Sequence, residues 1–182
     1  MITIELEGTE YTMPGSWGEV NLKTFEKIKA QLAIFGDYKS MNQYALDLIQ
    51  ILSEVPVDKL RNMTRASFDE LQASISWVTE QVKLDNKKVF NINGVEYMAF
   101  ENLNSMSMGD SISLEIMIAE SNETNVQSNI LPILIRKSKE IIKDGQVVKV
   151  PGEFDADNYS ETKELLMEHL RINEVMWVRD FF

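Results

Sequence analysis

The chain has 182 residues, of which 44% are hydrophobic and 26% charged, a composition typical of a folded globular protein. It contains no cysteine, which excludes disulfide bonds and thiolate metal sites and favours a reducing compartment. Its net charge of −11 repels nucleic-acid phosphates and anionic lipid headgroups, so we expect no nucleic-acid partner and no membrane partner.

The first predicted element is a β-hairpin. Ile2, Ile4 and Leu6 alternate with polar residues, and the chain turns at Glu7-Gly8-Thr9 before a second strand that contains Tyr11. The acidic residues near the N-terminus, with no basic segment followed by a long apolar run, do not form a signal peptide. We therefore expect a protein that is not exported.

Three helices are predicted after the hairpin. Asn21 can cap the first, which runs from about Leu22 to Ile34, and the second stops before Val55-Pro56. Ser67 and Glu70 form a capping box that opens the third helix. The apolar positions of these helices are Leu22, Phe25, Ile28 and Leu32, then Tyr44, Leu48, Ile51 and Leu52, then Phe68, Leu71, Ile75, Val78 and Val82.

A charged stretch at residues 85–88 predicts a boundary before the second half of the chain. This half opens with a second hairpin, Val89 to Ala99, which turns at Asn93-Gly94. One helix is predicted around Ile130 to Ile142, and another from Tyr159 to about Val178. Cationic residues cluster in the first of these helices and at its downstream end, where they complement the helix dipole, namely Arg136, Lys137, Lys139 and Lys143.

The two halves share a sequence pattern at a constant spacing. Gly8-Thr9-Glu10-Tyr11 and Gly94-Val95-Glu96-Tyr97 both follow the pattern Gly-x-Glu-Tyr, 86 residues apart. Phe25, however, coincides with Ser111, and the match could also arise by chance because hairpins followed by helices are common. At the same spacing apolar residues coincide in the pairs Trp17 and Leu103, Val20 and Met106, Leu22 and Met108, Ile28 and Leu114, and Leu32 and Ile118.

We interpret this pattern as a degenerate internal duplication, and it predicts the fold class. The fold is α+β and mainly helical, with two β-hairpins that are each followed by about three helices. Because the halves of a duplicated chain usually pack on one another, we predict a single domain over residues 1-182. The domain is built of two pseudo-repeats, 1-84 and 88-182.

No group of residues predicts a catalytic, cofactor or metal site. His169 is the sole histidine, so it cannot supply a zinc triad, and no serine or aspartate is placed to use it as a base. Asp155, Asp157 and Asn158 resemble the start of a calcium loop, but the later ligand, glycine and glutamate positions of that loop are not matched. Capping of the next helix by Asp157 or Asn158 explains the cluster better. We expect no enzyme activity and no cofactor.

Two apolar features have both a core interpretation and an interface interpretation. The last six residues contain three aromatics, Trp177, Phe181 and Phe182, which either fold into the core or bind a partner. Met106 and Met108 either fill gaps in the core or make adaptable apolar contacts. We select Trp177, Phe181 and Phe182 as candidate partner-binding residues.

Several segments together resemble small proteins from the tail modules of tailed bacteriophages, and the resemblance spans nearly the whole chain. Such proteins are similar to tail assembly chaperones or to baseplate and hub components of contractile-tailed phages. The resemblance implies no catalytic residue. It is carried by the hairpin with Gly8-Thr9-Glu10-Tyr11, the run Trp17 to Phe25, the helices ending in Val55-Pro56, the hairpin with Asn93-Gly94-Val95-Glu96-Tyr97, the stretch Met106 to Asp110, the stretch Leu131 to Arg136, and the aromatic-rich last helix.

The resemblance implies a non-catalytic phage structural or assembly protein that acts through protein–protein contacts in the tail or baseplate. Its partners would be other phage structural or tail proteins, with a homo-oligomer as a further option. It would act in the host cytoplasm during assembly, or remain in the virion. An alternative is an acidic regulatory or inhibitor module that binds a host or phage protein. That alternative calls for a regular array of surface carboxylates, whereas the acids here are interleaved with lysines.

Overall fold

The chain forms two antiparallel β-sheets and eight α-helices in the part that the structure describes, which confirms the predicted α+β fold. The computed structural model describes residues 1–123 and 125–181, the last three of them as backbone only. The chain divides into two compact units. Unit 1 comprises Met1–Lys83 and Arg171–Asn173, and unit 2 comprises Leu84–Leu170 and Glu174–Phe182.

Unit 1 begins with the predicted hairpin. Strands β1 (Ile2–Leu6) and β2 (Thr9–Met13) are joined by Glu7 and Gly8, which both have positive φ, as a type I′ turn requires. A 3₁₀ turn at Trp17–Glu19 precedes helix α1 (Leu22–Ala33). The Asn21 side chain accepts a hydrogen bond of 2.8 Å from the backbone N–H of Thr24, so the predicted helix cap is confirmed.

Three more helices complete the N-terminal part of unit 1. They are α2 (Met41–Ser53), α3 (Val57–Arg61) and α4 (Arg65–Ser74). The predicted capping box at Ser67 is wrong, because Thr64 caps α4 by accepting from the Ser67 N–H. Helix α4, which corresponds to the predicted third helix, is also shorter than predicted, since the chain forms a 3₁₀ turn at Ser76–Thr79 after it.

Aromatic packing holds the 3₁₀ turn at Trp17–Glu19 in the core of unit 1. The indole of Trp17 meets Phe25 and Trp77 edge to face, with ring centroids 5.8 Å and 5.1 Å apart. Its Nε1–H donates to the Glu80 carbonyl at 2.8 Å, so the buried polar group of the ring has a partner. Leu32, predicted to be a core position of α1, is instead exposed.

Unit 2 contains a four-stranded sheet and most of the remaining helices. The sheet has the order β3 (Val89–Ile92), β4 (Val95–Ala99), β5 (Ile135–Lys143) and β6 (Gln146–Pro151), with every pair antiparallel. Helices α5 (Met108–Ala119) and α6 (Val126–Leu134) lie between β4 and β5 in the chain. Helix α7 (Tyr159–His169) follows β6, and α8 (Ile172–Val175) precedes a 3₁₀ turn at Met176–Phe181.

The predicted helix from Ile130 to Ile142 is wrong beyond Leu134. Pro132 lies in the last turn of α6, where it has no N–H to continue the ladder, and the helix ends two residues later. The chain then becomes β5, which pairs with β4 and, across the Asp144-Gly145 turn, with the valine-rich β6. The cationic cluster of residues 136–143 therefore lies on a strand and not on a helix.

The predicted last helix, Tyr159 to Val178, is interrupted. Helix α7 ends at His169, and Leu170 adopts an extended conformation. Arg171 then forms an antiparallel bridge with Asn21, and the Ile172 N–H donates to the Val20 carbonyl at 3.0 Å. This bridge within unit 1 requires an extended chain, and it explains the break in the helix.

The elements that open the two halves recur at the predicted spacing of 86 residues. Strand β2 corresponds to β4, the turn Trp17–Glu19 to Leu103–Ser105, and α1 to α5, each with the same bounds after the shift. Tyr11 pairs with Ile4 and Tyr97 with Phe90, so the predicted equivalence of Gly8 with Gly94 and of Tyr11 with Tyr97 is confirmed. The single domain with pseudo-repeats 1-84 and 88-182 stays a prediction.

The second hairpin turn gives a testable consequence of this backbone geometry. Gly94 has a φ of 79°, so Gly94→Ala should lower the free energy of unfolding by about 1–2 kcal/mol, because a Cβ strains the left-handed region. Gly36 is the control, since it has open space around its Cα and no positive φ. Gly36→Ala should leave stability unchanged or slightly raised. Urea denaturation measures both, and an equal loss in the two variants would contradict the assigned turn.

Candidate interaction surfaces

An apolar stripe lies on the solvent side of α5. Met108, Ile112 and Ile116 are four residues apart and therefore share one face of the helix. They are exposed by 76%, 49% and 52%, whereas Leu114 on the opposite face is buried. A helix that is apolar on both faces is normally covered on both. The α5 stripe, defined as these three exposed residues, is a candidate protein-binding surface.

A second apolar cluster lies in unit 1 between α1 and α2. Leu32, Ile34, Phe35 and Met41 are all exposed, and the Phe35 ring meets Tyr44 edge to face at 4.8 Å. We call these four exposed residues the α1–α2 patch. Contiguous exposed apolar side chains of this kind mark interaction sites more often than single exposed residues do.

A polar network borders the α1–α2 patch and orders the loop that carries it. The Tyr38 hydroxyl donates to Asp47 Oδ2 at 2.5 Å, and Gln43 Nε2 donates to Asp47 Oδ1 at 2.7 Å. The hydrogen bond to Asp47 raises the pKa of Tyr38 above its ordinary value, because it stabilises the protonated hydroxyl. Tyr38 also stacks edge to face on Tyr44, which anchors the loop to α2.

Trp177, a predicted partner-binding residue, is buried within unit 2. Its ring is 4% exposed, its Nε1–H donates to the Glu174 carbonyl at 2.7 Å, and the Lys88 Nζ lies 3.2 Å from the ring centroid. Trp177 still lines one wall of a groove of about 680 Å³ together with Leu103 and Glu101. Its role in partner binding stays a prediction. The side chain of Phe181 and the whole of Phe182 lie outside the described residues.

Lys88 has an unusual environment in the same groove. Burial lowers the pKa of its ammonium group below the ordinary lysine value, and the negative charge of Glu101 partly offsets this effect. The neighbouring residue, Lys87, forms an ion pair with Glu174, whose backbone carbonyl accepts from Trp177. Lys87 and Lys88, which belong to the predicted boundary at residues 85–88, thus hold Glu174 and Trp177 in unit 2.

Arg136 connects β5 to the elements around it. Its side chain is 4% exposed, and its Nε–H donates to the carbonyl of Ile133, one of the terminal carbonyls of α6 that lack a helical partner. Its Nη1 donates to the Gly152 carbonyl at 3.2 Å. Its Nη2 lies 2.8 Å from Asp110 Oδ1 and forms an ion pair with it, although the geometry is not that of a hydrogen bond. The guanidinium also lies over the rings of Phe100 and Phe154.

Asp110 links this cluster to the α5 stripe, because it lies in the first turn of α5. Its backbone N–H donates to Ser107 Oγ while its carboxylate accepts from the Ser107 N–H, which completes a capping box. Burial raises the pKa of Asp110, but the Arg136 guanidinium and the bonds from Ser107 outweigh it, so the net pKa is below the ordinary value. The charge pair positions the helix that presents the stripe.

The other residues considered as sites from the sequence do not converge. His169 is exposed at the end of α7. Asn158 is the N-cap residue of α7, as predicted, but its side chain makes no capping hydrogen bond. Asp155 Oδ1 accepts from the Asn158 N–H at 3.2 Å, so Asp155 orders the start of the helix. Lys139 pairs with Glu153 at the surface.

Within residues 1–123 and 125–181, no group of three or more histidine, aspartate or glutamate side chains is arranged to hold a metal ion. None of the described helices combines the length and the apolar character needed to cross a membrane. Comparisons with protein-family models, with curated protein sequences and with solved structures each found no significant match.

The sequence analysis missed two features for different reasons. The Asp144-Gly145 turn between β5 and β6 carried a recognisable hairpin signal, an Asp-Gly pair flanked by strand-forming residues. The Arg136–Asp110 pair carried no such signal, because the two residues are far apart in sequence and only the tertiary structure brings them together.

Proposed function

We propose that this protein is a non-catalytic structural or assembly protein of a phage tail or baseplate, which acts through contacts with other phage tail proteins. It acts in the host cytoplasm during assembly or stays in the virion. The proposal takes the phage context from the sequence resemblance and the mode of action from the exposed surface of unit 2. The α5 stripe is the observation that supports this mode of action.

The elements that recur at a spacing of 86 residues indicate that the fold itself does not require an apolar stripe at this position. In α1, which is equivalent to α5, Glu26 and Ala30 occupy the places of Ile112 and Ile116. The same scaffold position is therefore compatible with a charged residue and a small one. Two exposed isoleucines cost solubility without contributing to the core, which favours a role in binding.

The experiment replaces the outer isoleucines of the stripe. Affinity-tagged protein is produced in cells infected by the encoding phage, and the proteins that co-purify are quantified by mass spectrometry. For the double variant Ile112→Asp with Ile116→Asp, we expect at least a roughly tenfold loss of co-purified tail or baseplate proteins, equivalent to about 1.4 kcal/mol or more of binding free energy. The unfolding free energy should change by only about 0.5 kcal/mol per site, because both side chains are exposed.

Ile142→Asp is the matched control, since Ile142 is an exposed isoleucine of unit 2 on β5. It should retain the wild-type set of partners. Wild-type protein that retains no phage structural protein would contradict the proposed function. Equal losses in the control and in the stripe variant would show that general surface apolarity, and not the α5 stripe, mediates the contacts.

A further inference from the structure

The two pseudo-equivalent helix starts differ in what covers them. In unit 1, Arg171–Asn173 lies along the residues before α1, with Arg171 in an isolated β-bridge and Ile172 at the start of α8. The Ile172 N–H donates to the Val20 carbonyl at 3.0 Å, and Arg171 Nη1 donates to the Glu19 carbonyl at 3.3 Å. Arg171 also bridges Asn21, and Ile172 is fully buried. The chain thus covers this start with a short basic and aliphatic segment.

The equivalent start in unit 2 has the same local backbone. The Met106 N–H donates to the Leu103 carbonyl at 3.1 Å. In unit 1 the Val20 N–H donates in the same way to the Trp17 carbonyl at 3.2 Å. In the described part of the chain, however, no strand or bridge pairs with residues 105–107. We call residues 103–108 the uncovered edge.

The apolar side chains of the uncovered edge are exposed where those of unit 1 are buried. Met108 is 76% exposed, whereas its equivalent Leu22 is 3% exposed. Leu103 is 41% exposed, whereas its equivalent Trp17 is 8% exposed. The covering segment is one difference between the two starts. Side-chain packing is another, because Trp17 meets Phe25 and Trp77 edge to face, whereas Ser111 stands in unit 2 where Phe25 stands in unit 1.

The charges around this edge indicate the chemistry of its occupant. Residues 101–120 contain four acids, Glu101, Asp110, Glu115 and Glu120, and no lysine or arginine. Arg136 pairs with Asp110, and Lys88 interacts with Glu101, so two of these charges are partly offset by cations from other elements. In unit 1 the covering segment brings a cation, Arg171, which contributes to the lowered pKa of Glu19 after the larger effects of the Gly15 N–H and the terminal amine. A cationic segment is complementary to the uncovered edge in the same way.

We infer that the uncovered edge of unit 2 binds a short segment of a partner protein in which a basic residue in an extended conformation is followed by an aliphatic one, as Arg171 is followed by Ile172. The segment lies along residues 105–107, donates a backbone N–H to the Met106 carbonyl, and buries its aliphatic side chain against Met108 and Leu103. Strand-like addition of this kind takes affinity from main-chain hydrogen bonds and specificity from side chains. The inference rests on the proposed function, because it takes the partner to be a protein.

The probe is the capped pentapeptide with the sequence of residues 169–173, His-Leu-Arg-Ile-Asn, titrated into full-length protein that carries ¹³C-methyl methionine. We expect saturable shifts of the Met106 and Met108 methyl signals with a Kd below about 1 mM, equivalent to about −4 kcal/mol. Met41, exposed in unit 1, should not shift. Peptides with Arg171→Glu or Ile172→Ser should bind at least tenfold more weakly, and Met108→Asp protein should lose binding.

Three results would overturn the inference. One is the absence of saturable shifts at millimolar peptide, and another is equal binding of the charge-reversed peptide. The third is a wild-type dimer in sedimentation that Met108→Asp converts to monomer, because a second copy would then cover the edge. If the peptide fails while the Ile112 and Ile116 variant still loses tail proteins, only this inference fails. If the peptide binds while wild-type protein retains no tail protein, only the proposed function fails.

Discussion

Replacing Arg136 with alanine should lower the free energy of unfolding by about 3–5 kcal/mol, the usual cost of removing one partner from a buried ion pair. The substitution leaves the largely buried Asp110 carboxylate without its cation, and it removes the donors to the carbonyls of Ile133 and Gly152. Urea denaturation followed by circular dichroism measures the loss. Asp110 also caps α5, so the same variant should loosen the start of the helix that carries the α5 stripe.

The control for this substitution is an ion pair on the same strand that is open to solvent. Lys139 and Glu153 are 3.2 Å apart, but their side chains are 45% and 91% exposed, so Lys139→Ala should cost only about 0–1 kcal/mol. A loss in Arg136→Ala as small as that in Lys139→Ala would show that the Arg136 cluster contributes little to stability.

The pH dependence of stability provides a second readout of the same pair. The folded-state pKa of Asp110 is below its ordinary value, so its contribution is complete above the unfolded value of about 3.9 and is lost as the pH falls through the folded pKa. In Arg136→Ala protein only the Ser107 bonds oppose the effect of burial, so the pKa should rise. The loss of stability on acidification should then be smaller than in the wild type, because the gap between the unfolded and folded pKa of Asp110 narrows, and Asp110→Asn should remove the difference.

Replacing Trp17 with alanine should lower the unfolding free energy by about 3–5 kcal/mol, as large-to-small changes at buried aromatics do. The indole is buried between Phe25 and Trp77, and its Nε1–H bonds to the Glu80 carbonyl. The substitution therefore opens a cavity and leaves the Glu80 carbonyl without its indole donor. Calorimetry should show the loss as a marked fall in the thermal midpoint.

The recurrence of elements at a spacing of 86 residues supplies a matched control for Trp17. Leu103 occupies the equivalent place in unit 2 but is partly exposed, so Leu103→Ala should cost no more than about 1 kcal/mol. Comparable losses at the two positions would contradict the difference in burial between Trp17 and Leu103.

Local chemistry in the sequence determined the elements that open each half of the protein. Glu7-Gly8 and Asn93-Gly94 form the predicted turns because glycine and asparagine tolerate positive φ, and Asn21 caps α1 because its side chain can accept from an N–H three residues on. These interactions involve residues that are close in sequence. The spacing of 86 residues likewise predicted which elements recur, since equivalent residues meet equivalent local constraints.

Tertiary structure alone decided the rest, because burial and pairing depend on segments that are distant in the chain. Residues 135–143 form a strand because β4 and β6 lie beside them, although their composition also permitted a helix. The last helix breaks because Arg171 bridges Asn21. Leu22 and Met108 are 86 residues apart and begin helices with the same bounds after that shift, yet one is buried and the other exposed, because burial depends on what distant parts of the chain pack against each residue.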